Sequence, residues 1–168
     1  LDFNHLLVLN CIDALTEDAL HRGCTSLAAA PELTADGSLL VGHNEDWLPE
    51  DFESVYLIHA QPDDEPAFLA ITYGGLLPNI GFNQHGIAQC CDSVYPNDAR
   101  IGVPRIFVSR AVLAATTPGG AIQAALNRRR AAGYNHLIAH ASGEIYNLEA
   151  SAREFELIYA LDGLLAHT

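Results

Sequence analysis

The chain contains no methionine and no lysine, a single tryptophan, and only four cysteines in 168 residues. Without lysine, all fixed positive charge rests on eight arginines against 21 acidic residues, and the formal net charge is −13. A surface this acidic repels phosphate backbones and anionic lipid, so neither nucleic acid nor a membrane is an expected partner. No apolar run reaches the ~20 residues of a membrane span, and no charged, apolar, small-residue signal opens the chain. None of Cys11, Cys24, Cys90 and Cys91 has CxxC spacing, and the adjacent pair cannot easily bridge. A disulfide framework is therefore not expected, and a reducing, cytoplasmic setting fits. Leu1 stands where an initiator methionine would, so the reading is a chain shortened upstream or a fragment.

What is present suits one domain: 49% hydrophobic residues, no internal repeat and no linker. Residues 1–21 carry Phe3, Leu7, Val8, Cys11, Ile12, Leu15 and Ala19 at helical spacing and read as an amphipathic helix. Residues 24–31 and 38–44 read as a hairpin around Asp36-Gly37. Strands are expected at 54–61, 67–73, 81–83 and 86–94, then helices at 106–116 and 121–132. Pro118-Gly119-Gly120 is read as a stop between them, and Arg128-Arg129-Arg130 as a solvated helix end. Strands return at 135–141, 145–150 and 155–161. The order of strands, two helices, then strands predicts an α+β domain whose helices cover an antiparallel sheet.

The hairpin brings its two ends together, so Cys24 should meet Gly42-His43-Asn44-Glu45-Asp46-Trp47. Gly23 leaves its own carbonyl open to close approach. The Cys24 thiol can attack that carbonyl, and hydrolysis of the resulting thioester leaves Cys24 as a new N-terminus. Its α-amine, titrating near ~8, can then serve as general base for its own thiol. Asp46 is expected to orient the amine, and His43 and Asn44 to donate to a substrate or a developing oxyanion. The plain alternatives stay open at this point: a buried, inert cysteine and a polar loop.

Gly23-Cys24-Thr25-Ser26, Asp36-Gly37 and Gly42-His43-Asn44-Glu45-Asp46-Trp47 resemble the penicillin-acyltransferase-like branch of the N-terminal nucleophile hydrolases. Gly81-Phe82-Asn83-Gln84-His85-Gly86-Ile87, Ile101-Gly102-Val103-Pro104-Arg105 and Ser142-Gly143-Glu144 with Glu149 continue the likeness. The resemblance implies a four-layer αββα sandwich, of which this chain holds part. It implies self-cleavage between Gly23 and Cys24, with residues 1–23 propeptide-like and 24–168 the hydrolase domain. Cys24 is then the catalytic nucleophile with Asp46 and Asn44 in support, and His43, Trp47, Asn83 and Ser93 are substrate-binding candidates. Bile-salt and penicillin V hydrolases carry an arginine where this chain has His43, so their recognition of anionic substrates does not transfer. The insect β-alanyl-amine hydrolases are similar across 81–105. Family members run on past this length, and an oxyanion-hole asparagine would follow His167-Thr168.

The implied activity is hydrolysis of a small amide, with acyl transfer from a coenzyme A or amide donor as the alternative and no cofactor. A homo-oligomer, or association with a second processed chain, is left open. Two rivals come from other classes. His136 and His140 share a strand face and suggest zinc, but no converging ligands accompany them, so no metal is expected. A non-catalytic binding or assembly domain keeping the fold is the other; it has no need of both Cys24 and Asp46.

Overall fold

The computed structural model describes residues 2–11, 23–47 and 49–168. Alternating burial explains the strands. In β1 (Cys24–Ala29) the residues Cys24, Ser26 and Ala28 are buried, while Thr25, Leu27 and Ala29 face outward. β2 (Leu40–Glu45) pairs with it antiparallel, Cys24 opposite Glu45 and Ser26 opposite His43, which is the expected hairpin. A short 3₁₀ turn over Pro31–Leu33 begins the connection. The other edge of β1 takes β10 (Leu164–His167), a strand not anticipated from sequence, with Ser26 opposite His167. The result is a three-stranded sheet in the order β10-β1-β2.

The remaining strands form a seven-stranded antiparallel sheet in sequence order. They are β3 (Val55–Ala60), β4 (Phe68–Tyr73), β5 (Ile80–Asn83), β6 (Ile87–Asp92), β7 (Tyr134–His140), β8 (Ile145–Ala150) and β9 (Phe155–Tyr159). Gly81 lets β5 lie tightly on β4, since a Cβ there would stand 2.2 Å from the Leu69 carbonyl oxygen. One face of this sheet packs on the small sheet through Ala28, Ala30, Cys90, Leu137, Ala139, Ile145 and Ala160. The opposite face takes α2 (Arg105–Val112) and α3 (Pro118–Ala125), which bury Val112, Ala121 and Ala125 against Ile87, Ile138 and Leu148. Two facing sheets with helices outside the larger one form the ββα part of the αββα sandwich.

Three expectations need correction. Pro118-Gly119-Gly120 starts a helix and does not stop one: Thr117 caps α3 by accepting from the Gly120 N–H at 3.1 Å, and Pro118 occupies the first turn, where no donor is missed. The arginine run lies after α3, and Arg130 is buried, its guanidinium donating to the Ser151, Glu154 and Asn127 carbonyls. These accept five-donor chemistry that a solvated helix end would not need. At the N-terminus, α1 (Phe3–Leu9) is seven residues long and has no buried residue. Asn10 ends it, its side chain bonding Gly75 and Leu77 backbone; the rest of the expected helix, 12–21, lies outside the described residues.

Candidate active site

Cys24 opens β1 and is 5% exposed. The hairpin register puts His43 and Glu45 on the same face of the small sheet as Cys24 and Ser26. Burial pushes the Cys24 thiol up to about 12, and the Glu45 carboxylate, then Asp92, add to the rise. Backbone hydrogen bonding from Asp46 and Ser93 pulls the other way. The Asp46 carboxylate stands beside Gly23, its Oδ2 3.7 Å, an ordinary contact distance, from where a Gly23 Cβ would sit.

Behind Cys24 is a polar cluster sealed between the sheets. Asp92, at the end of β6 and 1% exposed, accepts from Ser26 Oγ at 2.7 Å and from Asn135 Nδ2 at 3.0 Å. His43 Nδ1 sits 3.0 Å from Ser26 Oγ, and its Nε2 3.0 Å from Glu45 Oε2. His167 Nδ1 is 3.0 Å from Asp92 Oδ2, near enough to pair electrostatically although not aligned for a hydrogen bond. Asn135 Nδ2 also reaches Asn147 Oδ1, and His167 Nε2 reaches Glu149 Oε2 at 3.4 Å. A carboxyl group this deeply buried is tolerated because Ser26 of β1 and Asn135 of β7 both donate to it.

The proposed site residues therefore divide. Cys24, Asp46, His43 and Ser93 come together, Ser93 through its backbone. Asn44 pairs with Thr25, so it lies on the opposite face of the hairpin from Cys24. Trp47 stands at the rim, donating to Asp51 Oδ2 at 2.6 Å and packing on Tyr73 with ring centroids 5.0 Å apart. Tyr73 in turn donates to Glu45 Oε1 at 3.1 Å. Asn83 is a buried structural clamp: its Nδ2 donates to the Leu113 and Ala115 carbonyls, and its Oδ1 accepts from His85 and Ile87. That occupies all its bonding capacity in tying the β5–β6 turn to the end of α2.

Sequence reasoning missed Asp92, Asn135 and His167. Asp92 and Asn135 carried a signal, a polar residue in the core-facing register of an apolar strand, two positions from Cys90 and Leu137 respectively, whereas His167 lies in the unanticipated β10. A groove of about 530 Å³ starts at Val94, directly after Ser93, and is lined by Tyr95, Phe155 and the carboxylates Glu149, Glu154 and Glu156. His136 and His140 do not assemble a metal site: His136 bonds Gln89 Oε1 at 3.0 Å, while His140 bonds Ser142 and the His85 carbonyl. All four cysteines are free, and Cys90 and Cys91 are both buried. No helix among the described residues is long and apolar enough to cross a membrane.

The fold recurs in known proteins. Conjugated bile acid hydrolase from Clostridium perfringens superposes with a TM-score of 0.62 at 17% identity, over 84% of this chain and 52% of that one. Penicillin V acylase from Agrobacterium tumefaciens gives 0.58 at 14% identity, over 84% and 51%. The chain thus spans about half the length of the solved structures it matches. No curated protein sequence matches it. A family match covers residues 33–168, beginning after Cys24 and running through β2, Asp92 and β10. By that match the chain belongs to the acyl-coenzyme A:6-aminopenicillanic acid acyl-transferase family, within the N-terminal nucleophile hydrolases.

Proposed function

We propose that this chain carries the nucleophile half of a self-processing cysteine amidohydrolase acting on a small N-acyl substrate. The observation that carries the reading is the hairpin register, which sets the Cys24 thiol beside His43 and Glu45, with the Asp46 carboxylate next to Gly23. In processing, Cys24 Sγ bonds to the Gly23 carbonyl carbon while the Gly23–Cys24 C–N bond breaks, and the leaving nitrogen takes the thiol proton. Water then cleaves the thioester, releasing Gly23 as a carboxylate and Cys24 as an N-terminal amine.

A thiol held near 12 is a poor nucleophile at neutral pH. The freed α-amine on the same residue removes that obstacle by taking the thiol proton, and Asp46 steadies the resulting ammonium. The thiolate then attacks the substrate carbonyl, the amine leaves with that proton, and water hydrolyses the acyl-enzyme. A second reading, acyl transfer, is favoured by the family's description as an acyl-transferase; it differs only in an amine acceptor replacing the second water.

Intact mass and N-terminal sequencing of the purified chain test the proposal. A new N-terminus at Cys24, absent in Cys24→Ala, is expected, followed by turnover of simple N-acyl amides. A chain that stays whole, and turns over no amide when produced with Cys24 as its first residue, would sink it. Adding a free amine to the turnover assay separates transfer from hydrolysis.

A further inference from the structure

Three potential ligands converge at the open end of the β1–β2 pair. Cys24 Sγ, a His43 ring nitrogen and a Glu45 carboxylate oxygen all lie within 4.8 Å of one another, the one such trio among the described residues. Tetrahedral zinc with bonds of about 2.0–2.3 Å sets its ligands roughly 3.3–3.6 Å apart, so small side-chain shifts suffice.

Each ligand is also held from behind. Ser26 Oγ gives its proton to Asp92 Oδ1, so toward His43 Nδ1 it can only accept, and that nitrogen carries a hydrogen. His43 Nε2 is then left facing Glu45 Oε2 at 3.0 Å. A cation seated there would have both atoms within reach as ligands. The second Glu45 oxygen is occupied by the Tyr73 hydroxyl. A histidine whose far nitrogen donates to a hydroxyl–carboxylate relay, and a carboxylate anchored through its spare oxygen, are the outer contacts that orient metal ligands.

We propose that Cys24 Sγ, His43 Nε2 and Glu45 Oε2 bind a thiophilic divalent cation of the zinc type, with water in the fourth position. Mixed sulfur, imidazole and carboxylate donors select zinc over magnesium or calcium. Binding displaces the thiol proton to solvent and leaves the sulfur metal-bound, which shields it from electrophiles. The inference goes beyond the hydrolase reading and does not depend on it.

The experiment titrates the purified full chain with Zn2+ against a chromophoric chelator, and with Co2+ followed by absorption. One ion per chain is expected, with a thiolate-to-cobalt charge-transfer band. His43→Gln and Glu45→Gln should each weaken binding at least ~10-fold, with circular dichroism confirming the fold. Ser26→Ala, which removes only the relay behind His43, should weaken it less and provides the reading if either ligand variant fails to fold. Mass mapping should show Zn2+ slowing iodoacetamide labelling at Cys24. Absence of stoichiometric binding, or affinity unchanged by both ligand variants, overturns the proposal. Amide turnover is scored separately, so a chain that hydrolyses amides without binding zinc fails only here. One that binds zinc and, with the metal stripped by chelator, hydrolyses nothing fails only the hydrolase reading.

Discussion

Strands β6 and β7 bury polar side chains on both of their faces, and the two clusters differ in kind. Toward the helices, Gln89 donates to the Asn79 carbonyl at 2.6 Å and the Ser109 carbonyl at 2.8 Å, and accepts at Oε1 from His136. Burial, with Arg130 adding to it, pushes His136 down to about 3, so this cluster is neutral. Toward the small sheet, Asp92, three residues beyond Gln89, gathers Ser26, His43, His167 and Asn135, the residue before His136, and Asn135 Oδ1 and His167 Nδ1 are left without hydrogen-bond partners. A satisfied neutral cluster fixes packing. One with spare capacity, beside a thiol, has groups left to offer a ligand or a transition state.

The sharpest way to break this comparison is at the thiols, because the expected effect is all or none. Cys24→Ala should abolish cleavage before residue 24, whereas Cys91→Ala, on the helix-facing side, should leave it intact. Cleavage lost in both variants would mean that the two faces are not separable.

The next effect is on stability. Asp92→Ala strands the donors of Ser26 and Asn135 in a sealed layer and should cost about 3 kcal/mol or more in chemical denaturation. Gln89→Ala orphans two carbonyls and should cost about 2 kcal/mol, while leaving the labelling behaviour of Cys24 unchanged. If Gln89→Ala alters Cys24 reactivity as much as Asp92→Asn does, the division fails.

The neutral cluster also predicts an acid limb. As pH falls below 6.5 the unfolded chain protonates residue 136 while the folded chain resists until about 3, so stability declines across that window. The fully buried site sets a loss on the order of 5 kcal/mol over the whole interval. A His136→Asn variant, whatever its cost at neutral pH, should show a shallower decline between 6.5 and 3. Parallel curves for the two proteins would mean that His136 is protonated in the fold.

Much of this arrangement was legible in sequence, and the gaps have physical causes. The β1–β2 hairpin, the individual strands of the large antiparallel sheet and the meeting of Cys24 with His43 follow from alternation and turn chemistry local to a few residues. β10 was not legible, because Leu164–His167 is short and becomes a strand by pairing with distant β1. Asp92 and Gln89 carried the same signal, a polar residue in an apolar strand. Only the partners across the layer, Ser26 and Asn135 for one and Asn79 and Ser109 for the other, distinguish charge storage from packing. Pro118 was misread because proline ends a preceding helix and begins a following one with equal ease; the Thr117 cap decides it.

The smallest expected effect asks whether the face, and not the residue type, sets function in β2. Asn44 sits one position from His43 and two from Asp46, and its amide is chemically suited to stabilising an oxyanion. Its register opposite Thr25 nevertheless turns it away from Cys24. Asn44→Ala should therefore leave the cleavage rate within about twofold and the denaturation midpoint unmoved, as for other exposed positions. Asp46→Ala, which removes the carboxylate beside Gly23, should slow cleavage at least ~10-fold while changing stability little, since a group placed to assist proton transfer to the leaving nitrogen contributes on that scale. Equal losses in the two variants would mean that β2 twists enough beyond His43 to bring both side chains to the thiol. The hairpin register would then be a poor guide to this end of the site. Unequal losses in the expected order would assign the asparagine to the outer face of the hairpin and the aspartate to the scissile peptide.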